Sequence, residues 1–181
     1  MDWAFTQAAM VALFFFTLPL FSLFTNAAFR WVAVFHGIGA SFTLVAATRA
    51  LHLVYSLHRG KSGSAKKLEW MLWLTSGLVL ISIITGNWLY IGYRGPDNVQ
   101  QWSLYHAPVL HNIIMEFKEF ISLYPLPLGV AAAWILHRFR EEAESGSVVS
   151  SIVVLLFTCS WFCLLAGFFL GIGLAKIKMV N

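Results

Sequence analysis

Residues 148–175 read VVSSIVVLLFTCSWFCLLAGFFLGIGLA, an apolar stretch without one charged side chain. As a helix it rises about 42 Å, more than the roughly 30 Å hydrocarbon core of a bilayer. It shows no period-two alternation of a barrel strand, and backbone amides in lipid must pair within their own segment, so it reads as a transmembrane helix.

Working outward, four more runs of this kind precede it. They cover residues 3–24, with Pro19 as a kink, then 29–57, 68–93 and 104–137. The last of these has its apolar centre at Phe120–Leu136 and is interrupted by Pro125 and Pro127. Between the runs lie Thr25–Ala28, the glycine- and serine-rich segment His58–Ser64, the turn Arg94-Gly95-Pro96-Asp97-Asn98, and the polar segment Arg138–Ser147. Composition agrees: 59% of residues are hydrophobic and 11% charged, with a mean hydropathy of +0.75, so lipid is the solvent for most of the surface. The expectation is an all-α integral membrane protein, one domain over 1–181, folded as a bundle of five transmembrane helices.

A net charge of +4 would suggest nucleic acid in a soluble protein. Here the basic residues gather where apolar runs end, the pattern of membrane orientation, so lipid headgroups and other membrane subunits are the expected partners and nucleic acid is not. Arg59, Lys61, Lys66, Lys67, Arg138 and Arg140 fall on one side, against Arg30, Arg94, Lys176 and Lys178 on the other. The positive-inside rule then puts the N-terminus in the cytoplasm and the C-terminus outside, in a bacterial cytoplasmic membrane. Residues 1–29 contain no Lys or Arg, so the first run lacks the basic n-region of a secretory signal and reads as a retained helix. Trp3, Trp31, Trp70, Trp73, Trp88, Tyr90, Tyr93, Trp102 and Tyr105 fall near the proposed interfaces, where amphipathic rings settle.

Ionisable groups at membrane depth are costly and therefore carry the functional hypotheses. At 100° per residue Asn87, Tyr90 and Arg94 share one face, as do Asn112, Glu116 and Glu119, so Arg94 can pair with either glutamate across the short connection. His111, Met115 and Lys118 form an adjacent stripe. The alternative is that this segment stands above the bilayer in interfacial water.

His36 and His52 on the second run and His111 and His137 on the fourth form the second constellation. Two helices with two histidines each are how membrane b-type cytochromes hold two haems. Spacing favours one site over two: His36 and His52 are roughly 24 Å apart and about 160° around their helix, and His111 and His137 are ~39 Å apart. For a single haem, His36 with His111 or His106 is the better pair, beside the small residues Gly37, Gly39, Ala40 and Ser41. His52 with Arg49 could meet a propionate or a lipid headgroup.

Cys159 and Cys163 form no C-x-x-C spacing and read as packing residues. Gly167 and Gly171 supply a G-x-x-x-G suited to helix association. No Walker loop, HExxH, nucleophile elbow or CxxCH occurs.

Three functions fit this pattern. The first is a small subunit of a respiratory or photosynthetic electron-transfer complex, more a redox-complex subunit than an enzyme alone. It would bind haem b or quinone near the outer face through His36, His106, His111, His52, Tyr90, Arg94, Glu116 and Glu119, with His36 and His111 on the haem iron. The second is a non-catalytic structural subunit packing against partner helices, lipids or pigments. The third is a small transporter or ion-binding protein.

Overall fold

Gly60 and Gly63 both adopt positive φ, 68° and 71°, a conformation that costs glycine little, and they turn the chain through the hairpin between the first two described helices. The Gly60 N–H reaches the Leu57 carbonyl at 2.8 Å and the Lys61 N–H reaches that of Ser56 at 3.2 Å, a Schellman closure of the preceding helix. The computed structural model describes residues 28–61, 63–95 and 99–177. Its elements are α1 (Ala28–His58), α2 (Ser64–Tyr93), α3 (Val99–His106), a π-helical turn (Leu110–Met115), α4 (Glu116–Leu123), α5 (Pro125–Arg138), α6 (Arg140–Glu144) and α7 (Val148–Ile177). No strand occurs among the described residues.

Four of these segments are long and apolar enough to cross a membrane: Trp31–His58, Ser64–Tyr93, Leu110–Arg138 and Val148–Ala175. They correspond to the second to fifth apolar runs. The first run, 3–24, lies outside the described residues. α2 starts at Ser64, before the apolar run proper, because the Ser64 hydroxyl bonds the Lys61 carbonyl at 2.7 Å and Lys66 and Lys67 are good helix formers. The fourth run is not one helix from residue 104. Pro108 disfavours helical geometry at Ala107, so 104–106 belong to the separate α3. Pro125 and Pro127 break the α4–α5 hydrogen-bond ladder without diverting the chain, and the Leu128 N–H still finds the Tyr124 carbonyl at 3.2 Å.

Packing runs in a closed ring, α1 on α2, α2 on α5, α5 on α7 and α7 on α1, with α4 also against α7. Its tightest part lies toward the hairpin and α6, which we call the basic end. There Ala47, Ala50, Ala65, Ala132, Ala133 and Ala143 have no exposed surface, and Leu57, Leu68, Leu72, Leu136 and Phe157 fill the space between them. Small residues let helix backbones approach where lipid offers no hydrophobic driving force.

The G-x-x-x-G of α7 receives α4 of the same chain. A Cβ on Gly167 would stand 2.7 Å from Ser122 Oγ, and one on Gly171 would stand 4.0 Å from the Lys118 Cε, whereas Gly173 faces open space. Gly167→Leu should therefore destabilise the bundle by about 1–3 kcal/mol, the usual cost of overpacking, while Gly173→Leu should be close to neutral. Thermal unfolding of the two variants in one detergent checks this.

Candidate functional site

At the end of the bundle opposite the hairpin, the last turn of α2, α3 and the π-helical turn converge on His111, which is 6% exposed. The proton positions follow from the donors. The Ser103 hydroxyl donates to the Gln100 carbonyl at 2.9 Å, so the Tyr93 hydroxyl, 3.3 Å from Ser103 Oγ, must donate to it. Tyr93 then accepts from His111 Nδ1 at 2.9 Å, leaving Nε2 unprotonated, and the Gln100 amide nitrogen donates to Nε2 at 3.1 Å. The chain of bonds begins and ends on Gln100. Both ring nitrogens of His111 are thereby engaged, and the residue is held on a π-helical turn of a kind that often marks functional positions.

His36 on α1 obeys the same logic with a different outcome. The Thr85 hydroxyl spends its proton on the Ile81 carbonyl at 3.0 Å, shared with that of Ser82 at 3.2 Å. His36 Nδ1, 2.9 Å from Thr85 Oγ1, is therefore the donor, and Nε2 carries a lone pair. No described residue donates to it. The ring lies over Gly86, where a Cβ would stand 3.2 Å from His36 Cε1, so the glycine makes room for the imidazole. Lys118 of α4, half-buried, interacts electrostatically with His36 and with Glu119. Two turns along α1, Thr43 meets Ser82 of α2 at 3.2 Å, extending the polar seam between the two helices.

Arg94 donates to the Tyr90 hydroxyl at 2.7 Å and lies 4.2 Å over the Tyr90 ring. That bond, reinforced by Glu119 and Glu116, raises the Arg94 guanidinium further above its ordinary value. Tyr90 stacks on Tyr93 with ring centroids 5.5 Å apart, joining this group to the His111 ring of bonds. Arg94 thus takes Tyr90 as its direct partner, with the two glutamates acting at longer range. His106 stays within α3, its Nδ1 donating to the Trp102 carbonyl at 3.0 Å and its ring stacked on Trp102. No hydrogen bond or ring contact joins His36 to His106 or His111 among the described residues. His52 is exposed toward the basic end and lies in a groove between α1 and α7.

The residue that sequence reasoning missed is Glu69. It is the one acidic side chain of α2, and it is buried against the ends of α5 and α6. Its carboxylate accepts from His137 Nδ1 at 2.7 Å and from the Arg140 guanidinium. The signal was available: a single carboxylate in the first turns of one span, and His137, Arg138 and Arg140 closing another span on the same side.

No family model, curated protein or solved structure matches the chain.

Two measurements test this geometry. Tyr93→Phe opens the bond circuit around His111, so amides of 99–115 should exchange with deuterium several-fold faster than in the parent, with α5 and α7 unchanged. Glu69→Gln weakens the tie of α2 to α5 and α6. Because His137 and Arg140 are both half-exposed, the loss should be about 1–2 kcal/mol rather than the full cost of a broken buried pair, read as a lowered unfolding midpoint.

Proposed function

We propose that this protein is a small subunit of a membrane electron-transfer complex that binds haem b or a quinone beside His36. The observation that carries the reading is an intramembrane imidazole whose Nδ1–H is fixed by Thr85 while its Nε2 lone pair has no donor among the described residues. A histidine held through one nitrogen with the other free is the usual form of an axial ligand. The same lone pair can accept the hydroxyl hydrogen of a quinol. Lys118 beside it suits a propionate or the partial negative charge of a quinone oxygen. His111 contributes by position, since ligating a metal would require it to give up Tyr93 or Gln100. Tyr90, Arg94, Glu116 and Glu119 form the polar group through which protons or propionates would be handled.

In this reading the apolar run 3–24 adds a fifth span, the basic end faces the cytoplasm of a bacterium, and the His36 site lies toward the outer face of the inner membrane. The six basic residues around the hairpin and the α5–α7 connection support that orientation. A second reading, a structural subunit holding lipids or pigments for a larger assembly, is favoured by the apolar face of α1, where Trp31, Val34, Ile38, Phe42 and Val45 are exposed along one side.

The deciding experiment uses protein purified from its native membrane with whatever subunits accompany it. A reduced-minus-oxidised α-band that is lost in His36→Ala supports haem. Quinone in the organic extract, reduced at least several-fold in His36→Ala and Lys118→Met, supports quinone. A colourless, quinone-free preparation with fixed partners overturns the redox reading in favour of the structural one. Reporter fusions at both termini check the orientation: an external N-terminus would sink it.

A further inference from the structure

A second feature of the molecule lies near the basic end, away from His36. Leu51, His52, Val54 and Tyr55 of α1 and Val154 and Thr158 of α7 line a groove of about 260 Å³. Its walls are aliphatic, but three polar groups reach it. Among the described residues, none forms a hydrogen bond with the His52 ring, the Tyr55 hydroxyl or the Thr158 hydroxyl. Thr158 lies about 15 Å from the start of α7, where an unpaired polar group is disfavoured, and His52 and Tyr55 open on the same groove nearer the surface, so the three together suit an occupant with hydrogen-bonding atoms along its length.

The charges beside the groove define that occupant. Arg49, His52, Tyr55 and Arg59 fall within about 120° on α1, so they form one stripe along the lipid-facing side. All four are exposed, and the Arg59 guanidinium lies 4.9 Å over the Tyr55 ring. Neither α1 nor α7 carries a carboxylate, and although α6 brings Glu141, Glu142 and Glu144 to the same end, neither arginine forms an ion pair among the described residues. Arg49 sits about 13 Å along the axis from the end of α1, whereas a helix of this length overhangs the hydrocarbon by only about 8 Å at each end. It must therefore snorkel toward an anion at the surface. A free anion would leave the aliphatic walls unused. A phospholipid meets both features at once, with its headgroup at the surface beside the arginines and its acyl chain along the aliphatic walls.

We propose that the α1–α7 groove is a specific site for one anionic phospholipid, an acyl chain lying against Leu51, Val54 and Val154 and the phosphate held by Arg49 and Arg59. Tyr55, Thr158 and His52 meet the phosphate and ester oxygens. The proposal is independent of the His36 reading, since the residues do not overlap.

The test takes the purified full-length protein, delipidated in mild detergent, and titrates phosphatidylglycerol, phosphatidylcholine or inorganic phosphate, following retained lipid by native mass spectrometry and stability by thermal unfolding. Phosphatidylglycerol should be retained and should raise the unfolding midpoint, whereas phosphatidylcholine and inorganic phosphate should do neither. The double variant Arg49→Gln/Arg59→Gln should bind phosphatidylglycerol roughly thirty-fold more weakly, at about fivefold per basic residue near the surface. Val154→Phe, which fills the groove and keeps both charges, should lose retention as well. Equal stabilisation by phosphatidylcholine overturns the proposal, as do binding of phosphate alone, undiminished binding by either variant, or displacement of a copurified quinone by the lipid.

Discussion

Helices surrounded by lipid gain little by hiding apolar surface from one another, so this bundle depends on how closely its backbones can approach. Six fully buried alanines at the basic end, and the glycines of α5 and α7, provide that approach. A Cβ on Gly129 would stand 2.9 Å from Ser76 Oγ of α2, so at this point only a serine side chain separates α5 from α2. Dispersion at such short separations, added to interhelical bonds such as Trp161 to Thr48 at 3.0 Å, holds the ring closed.

The same close contact divides the molecule into two unlike ends. Toward the basic end the interior is apolar, small-grained and closed by Glu69, which ties α2 to α5 and α6 through His137 and Arg140. Toward the other end the helices carry polar groups inward, and each must be satisfied by another side chain. His111 is satisfied completely. His36 is satisfied through one nitrogen. An imidazole whose orientation is fixed while its lone pair remains open costs less to complete with a ligand than one that must first break protein bonds.

Much of the fold was legible because the bilayer imposes it. A span needs about 20 apolar residues, and the runs ending at Leu57, Tyr93, His137 and Ala175 announce themselves by length alone. Breaks set by local chemistry were less visible. Pro108 separates α3 from the span that follows, yet it sits between Ala107 and Val109, where a helix break leaves no hydropathy signal. The site was legible in its residue types, since His36, His111, Tyr90, Arg94 and Glu119 all stand out as polar groups at membrane depth. Their pairing was not. Angular position on one helix says nothing of which neighbour it meets, so Arg94 is matched with Tyr90 on its own helix, and Thr85 and Gln100, common uncharged residues, fix the two histidines. Glu69 was hidden for the same reason, one carboxylate among a dozen apolar positions with its partners some seventy residues away.

The π-helical turn at Leu110–Met115 adds a last consequence. A wide turn contains one residue more than α-helical geometry would place in the same rise, so the helical faces before and after it are out of phase by about 100°. His111, inside the turn near its start, and Lys118, beyond its end, therefore do not share the stripe that a continuous helix would give them. The first looks toward α2 and α3, the second toward α1 and α7. The extra residue acts as a phase shifter, allowing a single span to serve two separate polar neighbourhoods.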